Sequence, residues 1–598
     1  MFKQSRPSSE PSLFNSILQV AGEKKAALLS DEHKWWNVFR CEITERIDEN
    51  LFSVLYCKDS GRPNAPIRQL VAMLLLKELL CLSDEQFYER ANFDLTVMLA
   101  LGLLNVNDTL PGLRSYYYFR RRLQEYEQQH GRDLLAEQFE QLTFDQIKRY
   151  KVDGTEVRMD SKLFGSNIRR HTLYTLAVEV LQVYFNSLSE QDRCRIKGST
   201  RRYLEKLCDK TPDQHAYHKT SGQIRSSLAT LGRISAYLLR RFKKTRAGRY
   251  DLLERFFNEH FEEKPSEEEA PPPTKPPDNE QAQADSPELK DLHVERKQNE
   301  SGSVLQSAHD EQATYRYKIS GSQKQEVRGY VANITETCKP GQLNLITSIQ
   351  TAPARTPDCD FFQCAIQQSE QVSGQQVWEV FTDGAFYSPP NKTFTTKDGR
   401  NLQWQLTAMQ GQGIRFAFKW MDQGKTLKVI ELQSGQEYLA YRVKSKKEKY
   451  GIIINGQYRY FTRQQIDNYF LRQQIEARAG QSRKRRANVE STIHHLFYPL
   501  KGNKTRYRGL LRNKLFVLLR ALCVNFRRIL KWVTNGLKPL KTHKKGENAG
   551  EQTWFLSFPY LSTPQWLTWA MAWIFIFTWM TAPMVKTDQI LFGFQRTN

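Results

Sequence analysis

The sequence predicts a multidomain α/β protein, with a helical N-terminal domain followed by a mixed sheet that carries helical and β-rich insertions. Three observations support this prediction. The run at residues 67–80 is apolar nearly all round, which is typical of a helix buried in a bundle. Alternating apolar segments at residues 312–383 are typical of strands. A Pro- and Glu-rich stretch at residues 262–290 lacks large apolar side chains and is expected to be a disordered linker.

The helical prediction for the N-terminal domain depends on the run IRQLVAMLLLKELL (Ile67–Leu80) and on the residues around it. Pro66 suits the first turn of this helix, and Ser83 with Gln86 forms a capping box for the next one. At 14 residues the run is too short to span a bilayer. The residues alone fit a simple packing bundle.

A second helical segment, RSYYYFRRRLQEYEQQ, combines aromatic and basic side chains. Four aromatic residues, at positions 116–119, precede Arg120, Arg121 and Arg122. Stacking surfaces beside cations are typical of nucleic-acid contact. An amphipathic helix with its aromatic side chains in the core explains the pattern equally well, so both interpretations stay open.

Three acidic residues stand in settings that suit a metal site. Asp160 ends the short apolar run of VRMDSKLFGSNI just before a polar turn, and Asp383 directly follows the β-rich VWEVFT. Glu490 lies in the basic helical segment RKRRANVESTIHHLF, four residues after Arg486 and so on the same helix face. Strand ends hold carboxylates rigidly at a sheet edge, and two such Asp residues with a helical Glu suit two-metal phosphoryl transfer.

Asp153 is a weaker metal candidate. It precedes Gly154 in FDQIKRYKVDGTEVRMDS, which is expected to form strand, turn and strand, so we assign Asp153 to the turn.

The motifs MDSKLFGSNI, TDGAFYSPPN and R-x3-E together resemble the three acidic motifs of DDE transposases from bacterial insertion sequences. The resemblance extends over about residues 35–532, including the N-terminal helices and CVNFRRILKW. It implies a ribonuclease H-like catalytic domain in which Asp160, Asp383 and Glu490 hold two Mg²⁺ or Mn²⁺ ions. It also implies that DNA is the partner, as transposon ends and target, with a homodimer formed on the DNA.

The resemblance assigns Arg486 to the DNA backbone and the N-terminal helices to DNA-end binding. Related enzymes often carry a Tyr three residues before this Arg and a Lys seven residues after the Glu. Here those positions hold Arg483 and Phe497. His309–Asp310 also resembles a family feature, whose role the sequence leaves open.

The predicted organisation has six parts. They are a loose N-terminus (1–30), a helical DNA-end-binding domain (31–145), a catalytic domain (146–175 and 300–535, with a β-rich insertion at about 395–460), a basic helical insertion (176–261), an acidic Pro-rich linker (262–299), and a basic linker with an apolar tail (536–598).

Charge and cysteine content favour an intracellular nucleic-acid partner. The net charge of +23 suits a polyanion. Nine cysteines without a C-x-x-C pair, and an N-terminus without an apolar signal core, fit the cytoplasm and the nucleoid. Hydropathy alone makes residues 566–585 a transmembrane candidate. Their four Trp residues favour an association or packing segment, so a membrane partner is not expected.

The expected function is therefore a DNA transposase that cleaves phosphodiesters and transfers strands with a metal ion. Two alternatives remain open: a catalytically inactive, DNA-binding descendant, and a ribonuclease H-like DNA nuclease.

Overall fold

The computed structural model describes residues 1–5, 10–264, 292–298, 303–320, 323–407, 415–421, 426–443, 448–498 and 500–536. Residues 265–291 of the predicted linker, and the whole apolar tail, lie outside the described residues.

The N-terminal region is helical, as predicted, and is centred on the helix Ile67–Leu80. Thirteen of the fourteen residues of this helix are buried, and the capping box of Ser83 and Gln86 begins the next helix. The helices are α1 Ile17–Ala21, α2 Glu23–Ser30, α3 Trp35–Glu42, α4 Ile67–Leu80, α5 Asp84–Phe93, α6 Leu95–Ala100, α7 Leu113–His130 and α8 Leu134–Tyr150.

The strand predicted before Asp153 is wrong, because α8 continues to Tyr150. Phe139, Leu142 and Ile147 recur at helical spacing and are all buried, which favours a helix over a strand. Lys151 then ends the helix in the left-handed conformation.

The central sheet has six strands and is mixed. Its main order is β4–β5–β1–β7–β8, and β6 also pairs with β5. β1 is antiparallel to β5 and parallel to β7, which is in turn parallel to β8. The strands are β1 Glu156–Gly165, β4 Thr314–Ser320, β5 Gln323–Thr337, β6 Ile346–Pro353, β7 Glu379–Thr382 and β8 Gln403–Leu406. Helical N-terminal region and mixed sheet together confirm the predicted α/β multidomain class.

The segment between β1 and β4 is a helical unit with its own apolar core. It also carries a two-stranded sheet. Its elements are α9 Leu173–Ser187, α10 Glu190–Cys194, α11 Gly198–Cys208, α12 Pro212–Ala216, α13 Ser221–Phe242, α14 Tyr250–His260, β2 Phe261–Glu263 and β3 Val294–Arg296.

A five-stranded antiparallel sheet follows β8 and has a separate core. One face packs on Ile466 and Tyr469, near the start of the long helix Arg463–Phe497. The strands are β9 Phe416–Met421, β10 Thr426–Glu431, β11 Glu437–Val443, β12 Lys449–Ile454 and β13 Gln457–Thr462.

Four further helices, α15 Phe362–Ser373, α16 Pro389–Phe394, α17 Arg463–Phe497 and α18 Leu510–Asn535, complete the described residues. The predicted packing of α18 under the sheet is confirmed: the Asn525 side chain bonds both the N–H and the C=O of Ile346 on β6. The N-terminal helices, the sheet and α18 share one apolar core. This core extends across residue 145, where the sequence-based prediction placed the end of the N-terminal domain. No helix of the described ranges is both long and apolar enough to cross a membrane.

Candidate active site

Asp160 lies in the middle of β1 and not at its end, contrary to the sequence-based expectation. The polar Ser161 and Lys162 do not end the strand, because pairing with β5 continues to Gly165. Asp160 itself is only 8% exposed. Its backbone pairs with Ile334 of the antiparallel β5, and the parallel pairing of β1 with β7 ends two residues before it, so the carboxylate is held on a well-ordered part of the sheet.

Asp383 directly follows β7, as predicted. Its Oδ1 accepts a hydrogen bond of 2.9 Å from the backbone N–H of Ala385, which caps a short 3₁₀ turn. β7 runs parallel to β1 and beside it. This pairing brings Asp383 next to Asp160, although 222 residues lie between them in the chain.

Arg486 joins the two Asp residues. Its Nη2 lies 3.2 Å from Asp160 Oδ2 and 3.6 Å from Asp383 Oδ2. Both Oδ1 atoms are already used by backbone N–H groups, of Ser161 and Ala385. The two Oδ2 atoms therefore converge on one cation, the guanidinium of Arg486.

Two carboxylates contact one guanidinium, and the exposed Lys318 adds only a smaller attraction at Asp160. Burial raises the pKa of Asp160 to about 6, Arg486 opposes this rise, and Asp383 adds to it. The Nε of Arg486 is buried and finds no hydrogen-bond partner among the residues that the structure describes. Such an orphaned donor costs free energy, so Arg486 is only partly satisfied by the two carboxylates.

Glu490 lies on the same helix as Arg486 but is exposed, and the structure does not bring it to the two Asp residues. The neighbouring Val489 and Ile493 are buried and fix the helix against the sheet. Across the residues that the structure describes, no group of three His, Cys, Asp or Glu side chains is placed to hold a metal ion. The observed site is thus the Asp160–Asp383 pair in contact with Arg486. Glu490 lies one helical turn after Arg486 on the same helix.

Arg485, which the sequence reasoning missed, attaches α17 to the sheet. It lies 2.6 Å from Glu156 on β1 and 3.5 Å from Glu379 on β7. Arg158 donates to its carbonyl at 2.9 Å. The sequence contains a hint of this role, because Glu156 and Glu379 each begin a strand. The hint can be used only once the pairing of β1 with β7 is known.

The three predicted DNA-binding arginines of α7 have different surroundings. Arg120 is half-buried and pairs with Asp84 at 2.9 Å. Arg121 is exposed and pairs with Glu125, and Arg122 lies over the ring of Tyr56. All three therefore have a partner within the protein, and they differ in exposure: Arg120 is half-buried, whereas Arg121 and Arg122 are exposed to solvent.

Two other acids have structural roles. Asp153 accepts hydrogen bonds from the backbone and hydroxyl of Thr155 in the turn before β1. Asp310 is 2% exposed and accepts from Ser166, Tyr330 and the Gly509 backbone. Asp310 of the His309–Asp310 pair therefore connects three segments that are distant in sequence.

The fold and site define an α/β protein whose sheet presents two adjacent carboxylates beside a basic helix. Residues 27–122, which form most of the N-terminal helices, match a family model described as "Transposase domain (DUF772)". This match supports a transposase role in general. No curated protein matches the chain.

Proposed function

We propose that this protein is a DNA transposase that cleaves phosphodiester bonds and transfers the freed strand with the help of metal ions. The observation that carries the proposal is the convergence of Asp160 and Asp383 on one cation, in a chain whose residues 27–122 match a transposase domain. The mixed sheet, and the resemblance of the three acidic motifs to DDE transposases, support a ribonuclease H-like catalytic domain.

The donor chemistry fits the implied metal in part. Two carboxylate oxygens that face each other suit Mg²⁺ or Mn²⁺, which prefer hard oxygen ligands. Glu490 would become a third carboxylate ligand if a small rotation or shift of α17 brought this exposed side chain to the Asp pair. Bound ions would activate the attacking hydroxyl and stabilise the leaving oxygen.

The chain's own residues position this chemistry. β1 and β7 hold the two Asp side chains in register, and Arg485 anchors the helix that carries Arg486 and Glu490. Once released from the Asp pair, the Arg486 guanidinium would face a DNA phosphate beside the site, where it would orient the strand. Rigid positioning of this kind is a main source of rate enhancement in phosphoryl transfer.

One observation favours the catalytically inactive alternative: Glu490 is exposed and forms no three-residue ligand group with the Asp pair in the described residues, and Arg486 contacts both carboxylates. A protein that kept this arrangement on DNA would bind without reacting.

The test is an assay with purified protein, labelled DNA from the ends flanking the reading frame, a target plasmid and Mg²⁺. A transposase yields both cleaved ends and joined products. Cleavage without joining would identify a nuclease, and binding without either would identify the inactive descendant. Glu490→Gln should abolish both products while leaving DNA binding intact; full activity of this variant would remove Glu490 from the site.

A further inference from the structure

A second feature lies away from the acid pair, where the N-terminal helices meet the segment that follows α17. A cavity of about 140 Å³ opens between the end of α4 and residues 500–506. At about 30 Å³ for one water, it has room for four or five water-sized groups. Its charged lining residues are Glu78, Lys501, Lys504, Arg506 and Arg520.

The buried wall of this cavity carries a guanidinium without a carboxylate partner. Arg520 is 1% exposed and donates to the carbonyls of Glu78, His495 and Leu496 at 2.7–2.9 Å. Within the described residues it forms no ion pair. Carbonyls satisfy its hydrogens but do not neutralise its charge, and a buried, uncompensated charge is costly.

The one carboxylate of the cavity is already committed. Glu78 pairs with Lys77 at 3.2 Å and accepts from the hydroxyl of Tyr507 at 2.9 Å. It is therefore not available to neutralise Arg520. Lys77 also pairs with Asp84, so this part of the network is balanced without the cavity's cations.

The rim adds further positive charge. Lys501 and Arg506 are exposed; in the described part of the chain Lys501 has no partner, and Arg506 makes one long bond, 3.4 Å, to the Leu82 carbonyl. Lys504 donates to the Ile168 carbonyl. Burial and the neighbouring Arg508 lower the pKa of Lys504, as expected where positive charge is in excess.

We infer that this cavity binds a phosphate group of the nucleic-acid backbone, with Lys501 and Arg506 as the groups that contact it and Arg520 as a fixed positive charge beneath. Four cationic side chains line this small cavity, and in the described residues none of them pairs with a carboxylate, which matches the charge and size of a phosphodiester. The inference rests on the proposed function, because it takes DNA as the source of the phosphate.

The position of the cavity relative to the acid pair fits this role. Lys504 forms a parallel bridge with Gly165, at the end of β1. Gly165 lies five residues beyond Asp160 on the same strand, a distance of roughly 17 Å. A DNA strand lying on the acid pair would reach the cavity within about five nucleotides, at 3.4 Å per nucleotide. We call this cavity, lined by Lys501, Arg506 and Arg520, the phosphate seat. A phosphate bound there would hold the DNA to both the N-terminal helices and the sheet.

The first experiment measures thermal unfolding of the full chain with inorganic phosphate, against chloride at equal ionic strength. Phosphate should raise the Tm of the wild type by a few degrees, because a ligand of the folded state stabilises it. The double variant Lys501→Ala/Arg506→Ala should lose this rise. Both side chains are exposed, so the variant should still fold. The matched control, Arg512→Ala/Lys531→Ala, removes two exposed cations of α18 outside the cavity and should keep the rise.

The second experiment measures the affinity of the same proteins for duplex DNA as salt increases. Loss of one phosphate contact should reduce the slope of log K against log salt by about 0.9. Since Lys501 and Arg506 would share one phosphate, each single variant should cost nearly as much as the double variant. The inference would be overturned if phosphate raised the Tm of the double variant as much as that of the wild type. It would also be overturned if the losses of DNA affinity in the two single variants added up to the loss in the double variant. A lost phosphate effect with an unchanged DNA slope would overturn the backbone as its source.

The test is independent of chemistry at the acid pair. Asp160→Asn keeps the cavity and should keep both the Tm rise and the salt slope, even if strand transfer fails in every protein. Failure of the proposed function alone would therefore leave the phosphate seat supported, whereas failure of the seat leaves the acid pair untouched.

Discussion

Two clusters of charged side chains lie along β1, one at Arg158 and the other two residues further at Asp160. Their net charges have opposite signs. Glu336, opposite Arg158 in the strand pairing, is fully buried and meets two guanidinium groups, Arg158 at 2.5 Å and Arg528 at 2.7 Å. The hydroxyl of Thr492 also donates to it at 2.8 Å. The Asp160–Asp383 pair has two carboxylates for the single guanidinium of Arg486.

The difference shows how one strand supports both structure and chemistry. The Glu336 cluster has no spare acceptor, so it holds α17 and α18 to the sheet and has no capacity for a ligand. The Asp pair keeps a surplus negative charge and partial solvent access, and a further cation can relieve that surplus. The sign of the net charge, more than burial, separates the candidate site from the structural cluster.

The largest expected effect concerns the unbalanced pair. If the pair is the proposed metal site, Asp160→Asn or Asp383→Asn should reduce DNA cleavage and joining by on the order of 10³-fold or more, because a carboxylate charge that would hold the metal is lost. Folding and DNA binding should persist, as judged by circular dichroism and gel shift. The control is Asp153→Asn, which changes only the turn before β1. Near-normal turnover by either site variant would place the chemistry elsewhere.

The second effect concerns the Glu336 cluster. Glu336→Gln leaves Arg158 and Arg528 buried without their carboxylate, which should cost about 3–5 kcal/mol in the free energy of unfolding. Urea denaturation of the metal-free protein measures this loss. Asp160→Asn should cost much less or even stabilise, since it removes one of two repelling charges. If the two variants lose equal stability, the contrast between the clusters does not hold.

Much of the fold follows from local pattern, and the failures have local causes too. The helix Ile67–Leu80 has the residues predicted for it, because an apolar run with a Pro before it leaves no other boundary. The hairpin before Asp153 was wrong because the apolar face of α8 extends through Ile147, and tertiary packing outweighs the β-favouring residues. Asp160 was misplaced at a strand end because the pairing that extends β1, with β5, comes from residues 329–337.

The candidate site was predictable only where local setting sufficed. Asp160 and Asp383 were found from short motifs, and their contact follows from the parallel pairing of β1 with β7. The Arg158–Glu336 pair and Arg485 were not predictable, because their partners are set by strand register over more than 170 residues. The metal-ligand roles of Asp160, Asp383 and Glu490 all stay predictions.

A third prediction tests whether Arg486 competes with metal for the pair. Its contacts with both Oδ2 atoms must break before a cation binds, which lowers the apparent affinity. Arg486→Gln should therefore raise the affinity for Mn²⁺ by about tenfold, or about 1.4 kcal/mol, in calorimetry without DNA. Arg485→Gln, next to it but paired with Glu156 and Glu379, should not. Weaker binding in Arg486→Gln would show instead that Arg486 assists the metal.

The smallest effect is the pH dependence of stability, measured by urea unfolding with a chelator present. Burial alone would raise the pKa of Glu336, but Arg528 and Arg158 hold it below its usual 4.5. Its stabilisation is therefore present above about pH 4.5 and is lost as pH falls further. Asp160 behaves oppositely. Burial raises its pKa from 3.8 to about 6, so its protonated form stabilises the fold at low pH and this contribution is lost as pH rises through 6.

The two variants separate these contributions. Asp160→Asn should flatten the stability profile between about pH 4 and 6, where the wild-type carboxyl of Asp160 loses its proton. Glu336→Gln should flatten only the acidic limb below pH 4.5, where the wild-type carboxyl of Glu336 takes one up. Profiles that change in the same pH range in both variants would mean that the clusters titrate as one network. In that case the Asp pair would not be electrostatically distinct from the structural cluster beside it.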